Sequence, residues 1–497
     1  MASSPPSQLP DRCLGLELGG ALVALLLTLA LPGPARAQVP WTLPPADSCK
    51  PQEGLKGWPL GEDAPPVSFH KGSTFSVDQL PLLRDYFPPQ LWKERERFFY
   101  EGMRLEIGAC FADYGSPEFF TQATEHFRGK PHLLEGGGLG DYSAGLPFPS
   151  DTIDPKGAQA GLKWAWNHAL RYTAAGFRGN FRVSDMVGRI GRAEPFEGEI
   201  FKMQLSFRTD RADAKYKAKQ ARDTEWVAGG KMLEPFAARE HAWRQYRDTD
   251  AISDADRSDD LHAYLPDLRR VRRMNGANIP GIYMPSFSVG VQQATSVLGI
   301  GTVPGDLGSQ TPDTITTKRS GFEGIVLRPL LSSWTYLGIQ DVLTPINAAS
   351  PMYPTVKDRA FGIWGLSFAS DRWDLRRAIV LEGRAVKSVG AGETARMIIY
   401  IDLQTLVPLY YLSWDSQDEA LDVGMYVGRW SEEREDYPRW PDDPKRPVRV
   451  IDPVGASFAN LADVGGWRRE TWEMVSTPPD DRVVRNMMSV SNLTKGR

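Results

Sequence analysis

The sequence predicts a mostly β protein of the α+β class, built on a large antiparallel sheet. Three observations carry this. From about Phe177 onward, apolar and polar residues alternate in short segments: Phe201, Met203, Leu205 and Phe207 stand against Lys202, Gln204, Ser206 and Arg208, the period of a half-buried strand. Those segments follow one another across short turns, without the helices that a βαβ arrangement needs. And GLKWAWNHALRY, Gly161 to Tyr172, has helical spacing but is apolar or aromatic on two sides. That suits a helix buried in the hollow of a curved sheet.

The chain of 497 residues is 41% hydrophobic and 24% charged, with 47 Gly and 39 Pro, which is globular composition rich in turns. Its start reads as a leader. Leu18 to Leu31 is an uncharged apolar run, preceded by Arg12 and followed by Ala35-Arg36-Ala37, the layout of a secretory signal peptide cleaved between Ala37 and Gln38. Fourteen apolar residues are too few to span a bilayer. Losing the leader removes Asp11 and Glu17 along with Arg12 and Arg36, so the formal net charge stays at -4. A near-balanced chain gives no reason to invoke nucleic acid. The expected destination is the periplasm, in solution or associated with the outer membrane.

Two cysteines remain after the leader, Cys49 and Cys110, and in an oxidising compartment they have one connectivity. Six scattered histidines in no ligand spacing leave no zinc site, and no cofactor is expected.

Residues 38–75 are rich in Pro and Gly and read as an irregular lead-in. Residues 76–497 read as one large domain. Its first helix is expected over Pro89–Tyr100, with Leu91, Trp92, Arg95, Phe98 and Phe99 at helical spacing. A second is expected over Pro117–Phe127, capped by Ser116 and opened by Pro117. In GLPFPSD, Pro147 and Pro149 hold the chain extended, and GGGLGDY before it reads as a flexible loop. The tryptophan-rich helix comes next, with Gly176 as its stop. Among the later strands, Asp402 to Thr405 turns the chain between a pair, and Pro408 marks an edge or bulge.

Leu268-Arg269-Arg270-Val271-Arg272-Arg273 is the most charged of these segments. As a strand it places Arg269, Val271 and Arg273 on one face and Arg270 and Arg272 on the other. One of those faces should be covered, and buried guanidinium groups need partners. Such a partner is either a ligand phosphate or carboxylate, or one of the aspartates from Asp248 to Asp260. That acidic run is no calcium loop: Ile252 and Ser253 stand where a ligand and a glycine are required.

Enzyme motifs are missing. The sequence has no G-x-S-x-G elbow, no H-E-x-x-H, no phosphate loop and no G-x-G-x-x-G after a strand. His168, on a helix expected to be buried, reads as a satisfied core histidine.

GLPFPSDTID with AGLKWAWNHALRY, YLPDLRRVRRM, GFEGIVLRPLLSSWTYLGIQDVLTPIN, and RWDLRRAIVLEG with MIIYIDLQTLVPLYYLSWD together resemble the bacterial exported family known as domain of unknown function 1329. They spread over roughly residues 90 to 430. That family is similar in turn to the outer-membrane lipoprotein-sorting carriers. The resemblance implies an open half-barrel with helices packed over its concave face, and a cavity that holds acyl chains without chemistry.

The expected function is therefore a periplasmic carrier or chaperone for a lipid or other hydrophobic molecule. The alternatives are an accessory protein for a membrane transporter or outer-membrane partner, and an enzyme of unfamiliar design. A carrier needs a cavity of about 300–1,000 Å³. Trp164, Trp166 and Arg171 are its candidate wall, and Arg269, Arg270, Arg272 and Arg273 its candidate mouth.

Overall fold

The computed structural model describes residues 41, 43–49, 68–187, 191–192, 195–210, 223–236, 238–274, 279, 281–285, 324–348, 372–387, 393–462, 466–477 and 481–494. The chain divides after Pro40, and the sheet lies wholly within the unit Trp41–Arg497. The leader, with Ala37 and Gln38, lies outside the described residues.

Among the described residues, sixteen strands make one sheet. The N-terminal strands are β1 (Thr74–Phe75) and β2 (Leu105–Cys110), and a separate small pair is β3 (His132–Leu133) with β4 (Leu139–Gly140). Then come β5 (Gly176–Val187), β6 (Gly191–Arg192), β7 (Phe196–Gln204), β8 (Thr224–Glu234), β9 (Ala242–Asp248), β10 (Asp260–Leu265) and β11 (Arg270–Met274). The C-terminal half supplies β12 (Ser332–Thr344), β13 (Arg372–Ala385), β14 (Arg396–Asp402), β15 (Pro408–Trp414), β16 (Ala420–Trp430), β17 (Ile451–Asn460) and β18 (Trp467–Val475). The order across the sheet is β1-β2-β13-β14-β15-β16-β17-β18-β5-β7-β8-β9-β10-β11, with β12 on β13 and β6 on β5. The path runs from β1 to β11 without closing into a barrel. Its pairings are antiparallel except β2 with β13, which is parallel.

Both faces of the sheet's middle are buried. Ile379, Leu381, Ile399, Ile401 and Tyr411 point into one apolar cluster. Their neighbours Ala378, Val380, Tyr400, Tyr410 and Leu412 point into a second. This explains why segments such as MIIYI are apolar throughout instead of alternating. The second cluster is covered by the N-terminal region, including Leu83, Phe87, Leu91 and Phe98. Cys49 is bonded to Cys110 at the end of β2, Cα to Cα 5.0 Å, fastening the lead-in to that side.

Four helices are long or central enough to compare with expectation. Pro89–Tyr100 folds as two short pieces, α1 (Pro89–Lys93) and α2 (Arg95–Phe98). The next, α3 (Glu118–His126), is capped by Pro117 instead of Ser116. The tryptophan-rich stretch forms α4 (Ala160–Ala169). It stops at Leu170, well before Gly176, which opens β5 with φ +111°.

The turn at Asp402 is as read. The Asp402 carboxylate accepts the Thr405 N–H at 2.8 Å, and the β14–β15 register slips beside Pro408. The 201–208 segment departs from expectation: Lys202 and Arg208 are buried along with Met203 and Leu205, and Phe207 is half-buried at φ +63°. Alternation assumed one face in water, whereas β7 is covered on both over Ile200–Met203.

Candidate functional site

Among the described residues, α4 is the one α-helix that joins the inner cluster, where Trp164, Ala165 and Trp166 meet Phe177, Phe181, Trp226, Trp243 and Trp472 of the sheet. It approaches β12 so closely that a Cβ on Gly161 would stand 2.6 Å from the Trp334 carbonyl oxygen; no larger residue fits there without moving backbone. Among the described residues the cover consists of this α-helix, short 3-10 turns ending at Ile252 and around Leu330, and loop residues such as Phe148 and Leu327.

Its polar side chains fasten it to loops. Trp166 Nε1–H donates to the Gly137 carbonyl at 2.9 Å, in the glycine-rich loop. Asn167 brackets Phe148, accepting its N–H at 3.1 Å and donating to its carbonyl at 2.5 Å, so it takes the part of a strand neighbour for the extended GLPFPSD chain. Just beyond the helix, Arg171 donates to the carbonyls of His168 at 2.7 Å and Ile325 at 2.6 Å. His168, fully buried, sits with Nδ1 2.7 Å from the Leu406 carbonyl oxygen and Nε2 2.9 Å from that of Gly324. Burial first, and the Arg171 charge second, push its pKa down to about 3. The ring is therefore neutral and has one N–H for two carbonyls.

Beside α4 lies a cavity of about 60 Å³, lined among others by Trp166, Arg171, Lys202, Glu225, Trp226, Arg247 and Arg328. β9 and β17 both contribute to its wall although they stand five places apart in the sheet. That is about 24 Å across a flat sheet, so the sheet curls around this point. The cavity corrects the sequence expectation twice. It is far smaller than about 300–1,000 Å³, and its wall is rich in charge.

Burial lowers the pKa of Lys202, offset in part by Glu225, and raises that of Glu225, offset in part by Arg247 and then by Lys202. Arg247 is held by Asp259 through two contacts of 3.0 and 2.8 Å and lies 4.6 Å over the Trp226 ring. Arg328 donates to three backbone carbonyls, those of Asp254, Ala255 and Arg257.

Of the residues singled out from sequence, Trp166 and Arg171 line this cavity. Trp164 is equally buried but packs beside it, edge-on to Trp41 at 5.0 Å between centroids. The arginine run is elsewhere. Arg269 occupies a turn at φ +47°, and Arg270, Arg272 and Arg273 are exposed on β11, the last strand of the sheet. Neither face of that strand buries a guanidinium group: Arg270, Arg272 and Arg273 all lie in water at the end of the sheet. Arg273 meets Asp260 at 2.7 Å, and none of the four reaches the cavity wall. Sequence reasoning missed Lys202, Glu225, Arg247 and Arg328. One signal was available: Arg328 is the single charge in IVLRPLL, an apolar run that has to bury it.

Residues 93–287 match the family described as "Protein of unknown function (DUF1329)". This is the family that the sequence motifs resemble. Among solved structures, a DUF1329 family protein from Desulfovibrio piger is similar at 13% identity and a TM-score of 0.39, covering 69% of this chain and 100% of its own. A domain assigned to an outer membrane lipoprotein-sorting protein of Vibrio parahaemolyticus has 11% identity and a TM-score of 0.37, with 68% and 100% covered. A LolA superfamily protein from Nitrosomonas europaea has 11% identity and a TM-score of 0.29, with 66% and 96% covered. What those proteins bind is theirs. No curated protein matches the sequence significantly.

Proposed function

We propose that this protein is an exported carrier that holds a hydrophobic molecule between α4 and the inner face of the sheet and performs no chemistry on it. The observation that supports this is the way α4 is attached. The one α-helix over the aromatic inner face among the described residues is ten residues long, lies among loop residues such as Phe148 and Leu327, and is tied to loops by side-chain hydrogen bonds. Those bonds release without disturbing a single rung of the sheet. A hydrophobic ligand then replaces helix contacts with its own, apolar surface for apolar surface. The cavity beside α4 is too small for an acyl chain, so loading requires the helix to lift.

Natively purified protein is expected to carry a small hydrophobic molecule detectable by mass spectrometry of an organic extract, and delipidated protein to take up a fluorescent fatty acid. Protein that binds no fatty acid, phospholipid or sterol-like probe overturns the carrier and favours a partner-binding role at a membrane transporter or outer-membrane protein.

Export has its own readout. The mature chain from the periplasm is expected to begin at Gln38 and, when denatured without reductant, to expose no thiol. An N-terminus at Met1, or two free thiols, contradicts an oxidising destination.

A further inference from the structure

We propose that Arg171, Lys202 and Arg328 form a buried oxyanion site that receives the headgroup of the carried molecule; the headgroup assignment rests on the carrier reading, the site itself on charge and geometry. The cavity wall carries four cations, Arg171, Lys202, Arg247 and Arg328. Against them stand two carboxylates: Glu225 on the wall, and Asp259 bound to Arg247. On the wall itself the cations outnumber the carboxylates, with Asp254 reaching Arg328 from the surface.

The surplus is localised. Arg247 is matched by Asp259, and the Glu225 charge is opposed by Arg247 first and by Lys202 second. Arg171 and Arg328 hold only backbone carbonyls among the described residues, although they are 7% and 4% exposed. The Nε–H of each is buried without an acceptor. A guanidinium desolvated without an anion is strongly unfavourable. The same donors suit an oxyanion: the planar fork matches a carboxylate or phosphate group, and low polarity around it strengthens each charge-assisted bond.

Size fits as well. About 60 Å³ holds on the order of four waters, enough for a carboxylate or phosphate group and too little for its tail. The Trp226 ring, with Lys202 Nζ 5.5 Å and the Arg247 guanidinium 4.6 Å away, keeps the two cations at the wall. The tail then extends from the headgroup along the inner face, which begins at Trp166 and Phe177 on the same wall.

The test is calorimetric titration of the delipidated mature chain with palmitate, hexadecyl phosphate and hexadecanol. The same titrations are run on Lys202→Met and Arg328→Gln, with folding checked by circular dichroism. At least one anionic probe is expected to bind roughly tenfold or more tighter than hexadecanol. Each folded variant is expected to lose that preference while hexadecanol affinity stays within about twofold. Whether palmitate or hexadecyl phosphate is favoured identifies the headgroup.

Equal binding of anionic and neutral probes by the wild type, or an unchanged preference in folded variants, overturns the site and leaves the carrier standing. If no long-chain probe binds but acetate or inorganic phosphate raises the melting temperature of the wild type and not of the variants, the carrier falls and the site stands. Absence of both responses overturns both. Should a variant not fold, the wild-type preference decides alone.

Discussion

Replacing Trp166 by alanine is expected to destabilise the protein by about 3–5 kcal/mol, the range for truncating a large buried aromatic. Three losses combine. The indole is 2% exposed and packs in the inner cluster, so its removal leaves a void that the stiff strands on either side do not close. Its Nε1–H donates to Gly137, and that carbonyl would lose its partner. It also walls the cationic cavity, so water would enter where Arg171 is held dry. Denaturant unfolding of the two proteins checks this. A loss below about 1 kcal/mol, the range of surface positions, would mean that α4 does not hold the inner face together. Phenylalanine at the same place should lose less, since it keeps most of the volume and gives up the hydrogen bond.

The second large effect is a pH dependence. The folded His168 ring resists protonation down to about pH 3, whereas an unstructured histidine accepts a proton near 6.5. Between those values the unfolded chain binds more protons than the folded one, so stability is lost as pH falls. The loss through this ring amounts to about 3 kcal/mol between pH 6.5 and pH 4. Asp374 and Asp452 work the other way. Burial raises each to about 6, so their contribution is lost as pH rises and grows as it falls. The informative quantity is therefore the difference between wild type and His168→Gln, measured by unfolding at pH 4 and pH 6.5. The variant should lose less stability on acidification by that amount. Parallel losses in the two proteins would show that the ring is charged in the folded state and holds both carbonyls as an imidazolium.

The fold was legible where local pattern and environment agree. The hairpin around Asp402 has its turn chemistry in four residues, and α4 has both its spacing and its aromatic character in ten. The site was only half legible, for a physical reason. Trp166 and Arg171 were found because they sit in an unusual segment. Lys202 was set on the solvent side because alternation reads which residues share a face, but not whether that face is covered. The arginine run erred in the opposite direction. Its strand is real over Arg270–Met274, but its place at the end of the sheet is decided by every other pairing and is written in no single segment. Charge in a sequence identifies residues that need partners; the topology decides whether water is the partner.

One pairing governs how the molecule can be assembled. β5, near the first third of the chain, lies against β18, beginning at Trp467, and this seam joins the early strands to the late ones. His168 likewise waits for Leu406, 238 residues on, and Tyr172 for Val448, 276 residues on. Contacts this distant form slowly, because loop closure must precede any reward. A chain delivered from its N-terminus consequently spends its synthesis with the β5 edge bare and the tryptophans of α4 uncovered. Such a polypeptide is prone to aggregate until its last strand arrives. Truncation anywhere before Trp467 therefore removes the closing strand instead of merely shortening a tail.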